Sequence, residues 1–281
     1  MSLGVFLTIL FAAALHASWN AIVKSGADKT LAMGAVVLGH IPIAVIAVFF
    51  VPFPSGETWP YIAAGVALHM GYQLFLIQSY KHGDLTQVYP IARGVAPLIV
   101  TVVSLLALGV ALSSLQVAAV ACIAVGIISL GLLRSSNGVR NPRAVFYALG
   151  TGVFIASYSL VDGMGARVGG SSVAYYSWLS IINGAAMMAY MACAAPGTIR
   201  AIPRDGKVLF FVGGGVSFLA YAIVTWAFTQ APIALVTALR ETSIIIALFI
   251  GVIWLGERLT PGKIAATIAA VFGAVLLQLA V

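Results

Sequence analysis

The chain has 281 residues, of which 62% are hydrophobic and only 7% charged. A soluble globular domain carries roughly 45–50% apolar and about 25% charged residues, so this composition excludes a water-soluble fold and a disordered chain. The net charge of +7 would suggest a nucleic-acid partner in a soluble protein, but loop placement accounts for it here and no nucleic acid is expected.

Apolar runs bounded by Gly, Pro and charged residues predict ten transmembrane helices, over 3–23, 31–51, 59–80, 86–108, 114–133, 144–166, 172–194, 207–229, 232–255 and 261–280. The runs lack the alternation of barrel strands, so the predicted fold class is an all-α polytopic membrane protein. The segment Met1-Ser2-Leu3-Gly4 has no basic region, and the first span is expected to be retained. Cys122 and Cys193 sit in apolar runs and read as thiols, with neither a disulfide nor a metal pair.

Basic residues divide unevenly between the loops. Lys24, Lys29, Lys81, Arg134, Arg140, Arg143, Arg200, Arg204, Lys207, Arg258 and Lys263 follow odd-numbered spans, and Arg167 alone follows an even one. The positive-inside rule then puts the odd-numbered loops in the cytoplasm and both termini outside.

The chain also repeats itself. "LGVALSSLQ" (108–116) matches "LGERLTPGK" (255–263) at an offset of 147, which places Arg93 on Arg240 and Gly126 on Gly273. Earlier in each half, "ASWNAIVKSGA" (17–27) resembles "ASYSLVDGMGA" (156–166), with Trp19 opposite Tyr158. Two five-span repeats are therefore expected, over 1–138 and 139–281. An odd number of spans per repeat inverts the second half relative to the first, an arrangement found mostly in transporters that bind substrate between the halves.

Four groups of polar side chains fall inside the spans. Arg93 and Arg240 each lie well inside a helix, where an arginine costs about 2.5–3.5 kcal/mol and has to meet water, a carboxylate or carbonyls. Each reads as a guanidinium for a substrate carboxylate or as a structural lock. Tyr89 lies one turn before Arg93. Glu241 follows Arg240 and points about 100° away around the helix, so direct pairing of the two is not required. It reads as the neutraliser of Arg93, a proton acceptor or a site for a substrate ammonium. Asp162 reads as a solvated helix end. Polar stripes run through His16, Asn20 and Lys24 with Trp19 on span 1, through His69, Tyr72, Gln73 and Tyr80 on span 3, and through Tyr221, Thr225 and Thr229 on span 8. Lys24 is expected to snorkel to the cytoplasm. Trp19, Tyr72, Tyr158 and Tyr221 at mid-depth suit stacking on a flat substrate, whereas Trp59, Tyr61 and Trp254 read as interfacial anchors. His40 has no accompanying stripe and receives no role.

Small-residue rows, Ala118–Cys122–Gly126 on span 5 and Ala265–Ala269–Gly273 beside Ala266–Ala270–Ala274 on span 10, serve close helix packing inside the chain or in a homodimer. Pro90, Pro97, Pro232, Gly94 and Gly213–Gly215 are candidate bending points on spans 4, 8 and 9.

"HASWNAIVKSG" (16–26), "LGERLTP" (255–261) and the doubled ten-span layout resemble the drug/metabolite transporter superfamily, specifically its EamA-type members. Val110-Ala111 stands where the second half has Glu-Arg, so the repeat has decayed there. The resemblance extends to bacterial exporters of amino acids and related metabolites, the YddG-type aromatic amino-acid exporters among them. It implies a ten-helix basket in the bacterial inner membrane with a cavity lined by spans 1, 3, 4, 6, 8 and 9, and with spans 5 and 10 peripheral. The implied activity is export of aromatic or neutral amino acids by alternating access, with no cofactor and no metal.

Rival readings are export of drugs or other metabolites, a membrane-embedded enzyme, and a channel. Asp162-Gly163-Met164-Gly165-Ala166-Arg167 matches the core of the CDP-alcohol phosphotransferase motif, but Ser159 stands where an aspartate is needed, and Asp205 is the only later aspartate. Without paired carboxylates no divalent metal is held. No Walker A lysine motif and no HExxH motif is present, nor a TVGYG filter.

Overall fold

The computed structural model describes residues 1–24, 28–82, 85–132, 141–246 and 261–280, and the side chains of 21–24, 85–87, 89, 130–132 and 263 lie outside the description. Every described element is helical, in the order α1 (Leu3–Lys24), α2 (Lys29–Val48), a 3₁₀ turn (Gly56–Thr58), α3 (Trp59–His82), α4 (Leu85–Leu106), α5 (Ser114–Leu132), α6 (Pro142–Val168), α7 (Ser172–Ala194), α8 (Thr198–Asp205), a π-helical turn (Leu209–Gly213), α9 (Gly214–Gln230), α10 (Ile233–Glu241) and α11 (Pro261–Leu279). These helices fall within a few residues of the predicted spans. Of the span expected over 232–255, residues up to 246 are described. The "LGER" run, Trp254, Arg134, Arg140 and Arg258 lie outside the described residues, as do the side chains of Lys24 and Lys263.

Among the described residues, six helical stretches are long and apolar enough to cross a bilayer, and the apolar stretches Pro90–Leu106, Ser114–Ser129 and Ile264–Leu279 are shorter. The chain is a multi-pass membrane protein. Its outward faces are hydrocarbon: Leu3, Leu7 and Phe11 on α1 and Ile268, Phe272, Val275 and Leu279 on α11 are all exposed, at the helical spacing of one face.

Helix starts follow from capping chemistry. The Asp28 carboxylate accepts from the backbone N–H groups of Thr30 (2.8 Å) and Leu31 (3.1 Å). Asn141 accepts from the N–H of Arg143 at 3.0 Å, with Pro142 opening α6. Two elements go beyond the sequence reading, the short helix α8 in a connection and the π turn ahead of α9. The π turn sits where Gly39 of α2 meets the Phe210 carbonyl and where a Cβ on Gly214 would come within 2.7 Å of the Gly39 Cα. Neither glycine has room for a side chain.

α5 packs on α11 at the outer edge of the molecule, in contact through reciprocal glycines. A Cβ on Gly126 would meet the Ala270 nitrogen at 2.7 Å and the Ala266 carbonyl oxygen at 2.8 Å. One on Gly273 would meet the Ile123 nitrogen and the Ala119 carbonyl oxygen, both at 2.8 Å. The small residues of spans 5 and 10 are thus engaged with each other inside one chain. α3 packs along α6, α2 along α7, α1 on α9, and α4 on both α5 and α6.

Candidate substrate site

One cavity opens at mid-depth between α1, α2, α3, α6, α7 and α9. Its walls are His16 and Trp19; Met33, Val36, Val37 and His40; His69, Tyr72 and Gln73; Tyr158; Tyr176, Leu179, Ser180 and Asn183; and Ser217 and Tyr221. The lining of this cavity differs from the set that the resemblance implies. Spans 2 and 7 form a large share of the wall, and no described residue of α4 or α10 reaches it.

The charged side chains of α4 and α10 form a buried ion network behind the wall. Arg93 Nη1 donates to Glu241 Oε2 at 2.9 Å. Arg240 donates to Glu241 Oε1 through Nε at 3.1 Å and Nη2 at 2.8 Å. All three residues are at most 2% exposed. The helical angle had suggested that Arg240 and Glu241 need not pair, but the length of the arginine side chain lets it curl back onto the neighbouring carboxylate. One carboxylate therefore serves two guanidiniums whose positions differ by the repeat offset. Such desolvated charges are tolerated in a membrane interior only when paired and fully hydrogen-bonded.

An aromatic layer separates this network from the cavity. Arg93 Nη2 contacts His16 Nε2, while Trp19 Nε1 donates to His16 Nδ1 at 3.2 Å. Tyr72 lies close to the same guanidinium. The guanidinium carbon of Arg240 lies 5.7 Å from the Tyr158 ring centroid and 5.8 Å from that of Tyr221, within cation–π range. His16, Tyr72, Tyr158 and Tyr221 thus adjoin both the buried cations and the cavity.

Asp162 is not a solvated helix end. It is wholly buried and accepts hydrogen bonds from Tyr175 Oη at 2.9 Å, Tyr221 Oη at 2.6 Å and His69 Nε2 at 2.8 Å. α6 continues to Val168, six residues past Asp162, which leaves the aspartate inside the bundle. The His69 ring, held by this carboxylate, stacks on Tyr158 with centroids 4.2 Å apart and forms part of the cavity wall. The outer end of α6 is tied down by Arg167, whose Nε and Nη2 donate to the carbonyls of Phe228 (2.8 Å) and Ala231 (3.0 Å).

Of the side chains singled out in the sequence, His16, Trp19, His69, Tyr72, Gln73, Tyr158 and Tyr221 meet at one cavity, and Arg93, Arg240 and Glu241 stand behind it. Asn20 instead donates to the His16 carbonyl at 2.7 Å, and Tyr80 packs among the apolar clusters; neither is among the lining residues. The Tyr89 side chain lies outside the described residues. His40, Tyr176, Ser180, Asn183 and Ser217 were missed. Among the described residues, no three His, Cys, Asp or Glu side chains are placed to hold a metal ion.

Comparison with known proteins bears on the second half of the chain. Residues 142–279 match the EamA-like transporter family. This EamA-like segment runs from the first residue of α6 to the end of α11, so it contributes Tyr158, Asp162, Tyr221, Arg240 and Glu241. No curated protein matches the chain. A solved crystal structure described only as that of a protein superposes with a TM-score of 0.72 at 17% identity, covering 98% of this chain and 95% of its own, and it supports the helical fold alone.

Proposed function

We propose that the whole chain is an EamA-type carrier of the drug/metabolite transporter superfamily, moving a small molecule through the mid-depth cavity by alternating access. The observation that carries this reading is the cavity itself: aromatic and polar side chains from six helices converge near the centre of a membrane protein, over a buried ion network that joins α4 to α10. The EamA match of residues 142–279 supports it. So does the exchange of contacts between Gly126 and Gly273, which the 147-residue offset maps onto each other. In this reading ten spans form two inverted repeats, 1–138 and 139–281, set in a bacterial inner membrane with both termini outside.

The substrate class is aromatic and neutral amino acids, exported from the cell. Trp19, Tyr72, Tyr158, Tyr176 and Tyr221 offer ring faces and edges to an apolar side chain. The two ends of a zwitterion find groups of both signs behind the wall: Arg93 behind His16, Arg240 behind Tyr158 and Tyr221, and Asp162 behind His69 and Tyr221. Binding residues are His16, Trp19, His69, Tyr72, Gln73, Tyr158 and Tyr221, with Arg93, Arg240 and Glu241 acting from behind. The cavity volume of about 60 Å³ holds a few waters, so an amino acid enters only as the walls part, which is the motion that alternating access supplies.

The test is counterflow in proteoliposomes loaded with an unlabelled amino-acid mixture, with labelled phenylalanine, methionine and threonine outside. Transient accumulation above equilibrium establishes a carrier and ranks the substrates. Flat traces with folded protein refute the amino-acid reading and move the substrate to other metabolites or drugs.

A further inference from the structure

The cavity wall contains four polar groups that the protein leaves without partners: Ser180 Oγ, and three on amide and imidazole side chains. Gln73 Oε1, Asn183 Oδ1 and His40 Nε2 are sealed from solvent and make no hydrogen bond. Gln73 and Asn183 are each only 4% exposed. They come from α3, α7 and α2, three helices with no sequence proximity at these positions, and all three residues line the same cavity. A buried polar atom without a partner carries a desolvation cost that native structures rarely leave standing, so four around one cavity call for an explanation.

The chemistry of the wall narrows what could satisfy them. None of the described lining residues is Asp, Glu, Lys or Arg. The nearby charges are committed elsewhere: Arg93 and Arg240 to Glu241, and Asp162 to its three donors. A ligand group carrying a full charge and lodged against the amides would therefore lack a counter-ion, at a cost that a neutral group avoids. An amide presents both an acceptor and two donors, and an imidazole presents one of each when neutral. Their complement is an uncharged group with its own N–H or O–H.

We infer that Gln73, Asn183 and His40 form a subsite for an uncharged hydrogen-bonding group on the substrate side chain: a hydroxyl, a carboxamide or an indole N–H. This rests on the amino-acid carrier reading and sharpens it. Among neutral and aromatic amino acids, those with such a group are preferred over hydrocarbon analogues of similar shape. A site built around polar groups discriminates strongly against a ligand that leaves them unpaired, whereas a purely apolar pocket separates such pairs weakly.

The experiment is proteoliposome counterflow with the matched pairs tyrosine and phenylalanine, and glutamine and methionine, read as the ratio of initial rate to concentration within each pair. The wild-type protein alone decides the first arm. The subsite gives each hydrogen-bonding member an advantage of about tenfold or more. A ratio near one in both pairs, with phenylalanine still showing counterflow, overturns the subsite and leaves the carrier standing. No counterflow with any of the four overturns the carrier reading for amino acids and the subsite together. In the second arm, Gln73→Leu and Asn183→Leu each collapse the tyrosine-to-phenylalanine ratio toward one. A ratio unchanged in both folded variants overturns the assignment to these residues.

Discussion

Replacing Glu241 with glutamine removes the only carboxylate in contact with Arg93 and Arg240 among the described residues, while keeping the side-chain shape. Both guanidiniums bond the same carboxylate, so they lie within about 6 Å of each other, and at an effective dielectric constant near 20 their mutual repulsion is about 3 kcal/mol. Removing one partner of a buried pair costs about 3–5 kcal/mol, because the remaining charge stays desolvated. At about 2–4 °C per kcal/mol for a chain of this size class, Glu241→Gln lowers the apparent melting temperature by about 6–20 °C. The assay is heating in detergent followed by size-exclusion chromatography of the remaining monodisperse protein. The decisive comparison is with Arg93→Gln and the double variant. The double variant strands one guanidinium instead of two and melts above the sum of the single losses. An additive double variant, or a Glu241→Gln protein that melts with wild type, refutes the shared-carboxylate account.

Two further outcomes follow from the packing and the buried aspartate. Gly126→Leu drives a side chain into the backbone of α11 and sharply lowers the yield of folded protein, whereas Gly56→Ala, with nothing within 4 Å, stays within about 0.5 kcal/mol of wild type; equal yields of the two would refute the tight α5–α11 contact. Asp162→Asn replaces an acceptor-only group with an amide whose NH₂ faces donors, so at least one of Tyr175, Tyr221 and His69 loses its partner at a cost of about 1–3 kcal/mol. Melting unchanged from wild type would place Asp162 in water after all.

Much of the helical layout was legible because a bilayer imposes length and hydropathy on each span. Arg93 and Arg240 stood out for the same reason, since an arginine deep in an apolar run demands a partner. Glu241 was legible as the neutraliser of Arg93, and the structure pairs the two at 2.9 Å, whereas its second bond, to Arg240, was harder to read. Glu241 adjoins Arg240, and ideal helical angles separate neighbours, but side-chain reach is not written in that angle. Asp162 was misread because Tyr221 lies 59 positions away in the chain and comes close only when α6 packs against α9. His40 and Asn183 sit in largely apolar helices, and only the pairing of α2 with α7 turns them toward a common space. The π turn likewise follows from the approach of Gly39 to Gly214, a tertiary event invisible to local propensity.

The shared carboxylate also has a consequence for how the protein is made. Arg93 and Glu241 are separated by 148 positions. At about 5–20 residues per second, a ribosome needs about 7–30 s to travel that distance. Through that interval the newly inserted first half holds an arginine whose Glu241 partner has not yet been made. The nascent segment must borrow solvation from lipid headgroups, water or the insertion machinery until α10 arrives. A chain terminated before α10 never acquires that ion pair, so the last third of the polypeptide completes a charge pairing that the first third begins.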